Sequence, residues 1–195
     1  MLKKIFEKIN MRKNEKIGYD KWGRPCKELY FMNLAFEIAT RSIDPDTKHG
    51  CVATNEEGRI ISTGYNGPVI DSDDNLWILE RPHKYYLLEH SERNMIYSAT
   101  NMGNSLKGAR VYVTGLPCID CLRGMKQSGI QSIIYGPLIS ISSNDFSDKK
   151  RYYDILLSNG KMSVTPFKYK DILLEYNPRI KTLLEGRIEI NERWG

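Results

Sequence analysis

Nowhere does the chain hold an apolar run close to the roughly 20 residues that span a bilayer. A membrane-spanning helix is therefore not expected. The opening Met1-Leu2-Lys3-Lys4-Ile5-Phe6-Glu7 is charged and lacks the apolar core of a signal peptide. This points to a soluble, cytoplasmic protein. Cysteine is scarce, with only Cys26, Cys51, Cys118 and Cys121. Without a secretion signal these read as reduced thiols rather than a disulfide framework. Histidine is scarcer still: His49, His83 and His90. There is no internal repeat and no long low-complexity tract.

Outside its first 24 residues the chain also lacks any charge surplus. The net charge is +5 over 195 residues. Residues 1–24 carry eight Lys/Arg against Glu7, Glu15 and Asp20, which accounts for the whole excess. The remainder holds 21 residues of each sign. A protein that grips a polynucleotide usually spreads a basic surface around its site, so a nucleic-acid partner is not expected. The chain divides into a basic N-terminal extension (1–24), one domain (25–167) and a helical C-terminal extension (168–195). Within the first, Leu2, Ile5, Phe6 and Ile9 fall at helical spacing.

The periodicity predicts helices over about 27–41, 90–101, 118–128 and 149–158. Strand-like runs occupy 51–54, 59–65, 109–114, 132–135 and 162–167, with Asn55-Glu56-Glu57-Gly58 as a hairpin turn. Asp44-Pro45 closes the first helix, because the residue before proline avoids the helical region. Residues 66–86 and 136–148 show no clear period and read as loops. In the C-terminal extension, Ile172, Leu173 and Tyr176, and then Leu183-Leu184, fall at helical spacing. A hairpin followed by strand–helix–strand units predicts an α/β fold. It would have three layers, helices on both faces of a mixed sheet of about five strands.

What chemistry the chain does carry lies between His90 and Cys121. His90-Ser91-Glu92 precedes Pro117-Cys118-Ile119-Asp120-Cys121. Cys118 and Cys121, three apart on a helix, share one face of its first turn. Pro117 suits a helix start, and the positive helix N-terminus favours thiolate. With His90 they make three protein ligands for Zn2+, which leaves the fourth tetrahedral position open as in catalytic sites. Glu92 is near enough to move protons without binding metal. The pattern is the signature of zinc-dependent nucleobase deaminases.

Beyond that signature, residues from about 31 to 135 resemble the deoxycytidylate (dCMP) deaminase family of the cytidine deaminase-like superfamily. The resemblance rests on Arg41-Ser42-Ile43-Asp44-Pro45-Asp46-Thr47-Lys48, Gly64-Tyr65-Asn66-Gly67-Pro68, His90-x-Glu92-x-Asn94, and Tyr112-Val113-Thr114 before Pro117-Cys118-x-x-Cys121. It implies hydrolysis of dCMP to dUMP and ammonia, feeding thymidylate synthesis. Asn66 would bind the deoxyribose, and Ser42 with Lys48 would lie near the 5′-phosphate. It also implies a homo-oligomer, often a hexamer, with dCTP and dTTP as allosteric ligands of the loop after Asn-Gly-Pro. The chain departs from the family at Ser91 (usually alanine), at His49 (usually valine), at Val69-Ile70-Asp71, and at Gly136-Pro137-Leu138-Ile139. The alternatives are a deaminase of RNA, such as tRNA adenosine, or of another nucleotide such as dCTP. A non-catalytic zinc-stabilised binding protein is the reading from a different class.

Overall fold

The computed structural model describes residues 17–72, 76–138 and 146–177, and residue 180. The expected amphipathic segment at Leu2–Ile9 and the helical spacing at Leu183-Leu184 lie outside the described residues. A five-stranded sheet forms from β1 (Gly50–Thr54), β2 (Ile60–Tyr65), β5 (Arg110–Gly115), β6 (Ser132–Leu138) and β7 (Ser163–Pro166), in the order β2-β1-β5-β6-β7. The first three strands are antiparallel, with Gly50 opposite Tyr65 and Cys51 opposite Val113. β5, β6 and β7 are parallel. Hence the sheet is mixed, as expected. Two-residue strands β3 (Gly67–Pro68) and β4 (Leu88–Glu89) make a second small ladder beside it.

Helix α1 (Lys27–Ala39) and the C-terminal helix α6 (Lys170–Tyr176) cover one face. Leu29, Met32 and Phe36 of α1 pack there with Val52, Tyr112 and Leu173, all fully or almost fully buried. Helices α3 (Ser91–Asn101), α4 (Ile119–Gln127) and α5 (Phe146–Leu157) cover the other. There Met95, Leu122 and Met125 meet Val111, Val113 and Ile133. A short helix α2 (Lys84–Leu87) leads into β4. Leu173, assigned by sequence to a C-terminal extension, is a fully buried member of the α1-side core. Tyr19, assigned to the basic extension, bridges to Pro25 and packs against the same core.

Two glycines set how closely helices approach the sheet. A Cβ at Gly50 would fall on the backbone of Ala35 and Ala39 in α1. A Cβ at Gly64 would fall on the Ser91 carbonyl and the Met95 amide in α3. Only glycine admits that approach. The start of α3 is thereby held against β2, and Ser62 Oγ donates to the Met95 carbonyl at 2.7 Å. The loop expected from Gly136 begins later, because β6 runs on to Leu138. The register shifts between Val113 and Gly115, and such an irregularity is where a sheet tolerates proline, here Pro137.

Candidate metal and catalytic centre

The three ligand candidates sit at two helix starts. His90 is the N-cap of α3, in extended conformation, and Cys118 is the N-cap of α4. Cys121 lies in the first turn of α4 and its amide donates to the Cys118 sulfur at 3.5 Å. His90 Nδ1 is 3.6 Å from Cys118 Sγ and 3.5 Å from Cys121 Sγ. Ordinary zinc–sulfur and zinc–nitrogen bonds set at the tetrahedral angle separate N from S by about 3.6 Å. The donor set thus has the spacing of three corners around one Zn2+, and its three ligand atoms all lie within 4.8 Å of one another.

The protonation pattern of this set agrees. The Cys118 thiol is held low, at about 3, first by the hydrogen bond from Cys121, against burial, with His90 adding a second donor. The Cys121 thiol is driven up by that same shared proton and by burial. A dication in place of the proton would let both sulfurs bind as thiolates. Arg93 reinforces the anion, with Nη1 3.9 Å from Cys121 Sγ. It is held in turn by a close ion pair with Glu89.

Glu92 sits two residues past His90, only 5% exposed. Burial raises its pKa, opposed chiefly by the charge of His90. Ser91 Oγ donates to Glu92 Oε2 at 2.8 Å. The last residue of the His90-x-Glu92-x-Asn94 motif, Asn94, has a structural task, donating from Nδ2 to the Tyr65 carbonyl at 2.8 Å and tying α3 to the end of β2. Tyr153 of α5 donates to the Pro117 carbonyl and braces the approach to Cys118.

His90, Glu92 and Cys118 open on a cavity of about 370 Å³, a size suited to a small molecule. Its lining also includes Asp44, Thr47, His49, Asn66, Arg81 and Lys84. Asn66 is therefore among the residues that the fold brings to the cavity. Its Oδ1 accepts from the His49 amide at 2.7 Å and its Nδ2 donates to the Thr47 carbonyl at 2.8 Å. Ser42 and Lys48 lie outside the lining. Ser42 Oγ accepts from the Asp44 amide, and the Lys48 ammonium donates to the Ser42 carbonyl. Both shape the loop that carries Asp44 and Thr47 to the cavity.

Sequence reasoning missed Arg81 and Lys84. Lys84 is 8% exposed. Its ammonium donates to Asp44 at 3.1 and 3.2 Å and to Asp46 at 2.8 Å. Arg81, half exposed, lies 3.5 Å from Asp46. The available signal was weak, being two cations in a stretch without periodicity.

His49 stands in the cavity wall as a neutral imidazole. Burial, with the charge of His90, lowers its pKa to about 4, while Asp44 pulls the other way. Thr114 Oγ1 accepts the Gly50 amide at 3.1 Å and lies 3.1 Å from His49 Nδ1. A folded pKa below the unfolded 6.5 means the unfolded chain protonates first as pH drops. The stability tied to His49 is thus complete above pH 6.5 and is lost as pH falls toward 4. The loss expected between pH 7 and 5 is about 2 kcal/mol. Urea unfolding at both pH values should show a shallower loss in His49→Asn than in wild type. Equal losses in the two would refute the assignment.

Fold and site together define a cytidine deaminase-like protein with a His/Cys/Cys metal centre. Residues 25–137 match the family described as the cytidine and deoxycytidylate deaminase zinc-binding region, and the chain belongs to that family. It is 33% identical over 132 residues to a probable deoxycytidylate deaminase of Caenorhabditis elegans, covering 66% of each chain. With the Homo sapiens deoxycytidylate deaminase it shares 37% identity over 112 residues, 54% of this chain and 62% of that one. The chain thus spans somewhat under two thirds of the length of these relatives. In fold it is similar to the dCMP deaminase of the cyanophage S-TIM5 in complex with dCMP and dUMP. That match has a TM-score of 0.55 at 20% identity and covers 70% of this chain and 93% of that one. Among the described residues no helix is long and apolar enough to cross a membrane.

Proposed function

We propose that the protein catalyses the hydrolytic deamination of dCMP to dUMP with release of ammonia. The observation that carries the reading is the buried Glu92 carboxylate beside a three-ligand set, His90, Cys118 and Cys121, with Glu92, His90 and Cys118 lining a cavity. A structural zinc site is closed by four protein ligands and needs no such acid. When bound, zinc supplies Lewis acidity at its open position. Glu92 takes a proton from the attacking water and delivers it to the ring nitrogen next to the amino-bearing carbon. It then takes the remaining proton from the added hydroxyl and passes it to the departing amine, so that ammonia leaves and a carbonyl remains. Water and dCMP are consumed, and dUMP and ammonia are formed.

Asn66, with Thr47 behind it, provides the wall against which the deoxyribose rests. Arg81, rather than Lys48, contacts the 5′-phosphate. Arg81 lines the cavity and a guanidinium suits a phosphate, whereas Lys48 is engaged by Ser42 outside it. The preference for deoxycytidylate is supported by the relatives' identity levels and by Gly64-Tyr65-Asn66-Gly67-Pro68. The same reading makes the protein a cytoplasmic homo-oligomer that supplies thymidylate synthesis. Val69-Ile70-Asp71 departs from the loop through which family members bind dCTP or dTTP.

The test is ammonia release from zinc-loaded protein given dCMP, CMP, dCTP, deoxycytidine or a tRNA anticodon stem. Turnover of dCMP is expected, with none of the RNA. Arg81→Ala should raise KM for dCMP about tenfold at similar kcat and leave deoxycytidine unaffected. Activity confined to RNA would overturn the reading.

A further inference from the structure

Ser91 lies between a metal ligand and the acid, and its side chain is wholly buried. A serine at a helix start usually caps the helix. Here the capping position belongs to His90, one residue earlier, and carries no side-chain cap. The Ser91 backbone is held without its hydroxyl. Its carbonyl accepts from Cys51 Sγ at 3.1 Å, the Asn94 amide closes the first turn onto the His90 carbonyl at 3.0 Å, and Gly64 leaves room behind. The hydroxyl is spent instead on Oε2 of Glu92, at 2.8 Å.

We infer that Ser91 is a positioning residue for Glu92, fixing the rotation of the carboxylate so that it meets the cavity in one orientation throughout turnover. The inference rests on the proposed role of Glu92. A glutamate's terminal torsion joins an sp³ to an sp² carbon, and its energy profile is broad and roughly two-fold. Burial of the stem does not lock that rotation, whereas a directional donor does. A carboxylate that must serve a water, a ring nitrogen and a leaving amine in succession is sensitive to such placement. Misplacing a reacting group by about 1 Å costs roughly a hundredfold in rate.

Ser91→Ala removes one oxygen and leaves every backbone contact in place. The expected result on dCMP is a fall in kcat of about tenfold with KM within about twofold of wild type and zinc content unchanged. In a Glu92→Gln background the same substitution should produce no further loss. A crystal structure of Ser91→Ala should show the Glu92 carboxylate in more than one orientation. A wild-type kcat in Ser91→Ala would overturn the inference, as would a rise in KM at constant kcat. So would a carboxylate that keeps its single orientation without the hydroxyl. A wild-type protein inactive on dCMP would defeat the substrate reading alone, and the crystallographic result would then decide the role of Ser91.

Discussion

Glu92→Gln is expected to lower kcat on dCMP by about a thousandfold while the protein keeps its zinc. Glutamine preserves the shape and length of the side chain and can still accept from Ser91 Oγ, so burial and packing around α3 should be unchanged. What it cannot do is take a proton from water and return it to the ring and the amine. The three ligand candidates are His90, Cys118 and Cys121, so metal content measured by elemental analysis should match wild type. KM should move far less than kcat, because the lost interactions arise mainly along the reaction coordinate. Ammonia release at the wild-type rate would remove Glu92 from the mechanism.

That prediction draws on the half of the site that was legible in the sequence. His90, Cys118 and Cys121 are rare residue types in this chain, and each lies at the start of a periodic segment. Local spacing was enough to put both sulfurs on one turn of α4 and the imidazole at the head of α3. The strands were legible for a similar reason, since β1, β5 and β6 are runs of small, β-branched and aromatic residues buried on the sheet.

The other end of the cavity was read less well. It is assembled from residues 44–49 and 81–89, which have no period and meet only through contacts some 40 residues apart. The two-residue strands β3 and β4 hold one another by pairing rather than by propensity. The family motif that contains Lys48 implies a place near the 5′-phosphate. In the fold the Lys48 ammonium turns back to the Ser42 carbonyl. Asp44 was legible only as the residue that stops a helix before Pro45. Its carboxylate in fact accepts from the Asp46 amide and from Lys84.

Lys84 is where that hidden half can be tested most sharply. Its ammonium joins α2 to the loop after α1, and both Lys84 and Asp44 line the cavity. The side chains of Lys84 and Asp44 are 9% and 7% exposed, while that of Asp46 is 35% exposed and shared with Arg81. A buried pair adds little net stability compared with apolar packing, yet removing one partner strands the other charge away from water. Lys84→Met keeps most of the volume and leaves the Asp44 carboxylate without its cation. The expected loss is about 3–5 kcal/mol, which at this chain length lowers the thermal midpoint by roughly 10 °C. Asp44→Asn added to Lys84→Met should recover part of the loss, because the uncompensated charge is gone while the amide still accepts from the Asp46 backbone. If Lys84→Met melts within a degree or two of wild type, the Asp44–Lys84–Asp46 cluster is not a strut. The cavity walls would then have to be held by the β3–β4 ladder and the Asn66 hydrogen bonds alone.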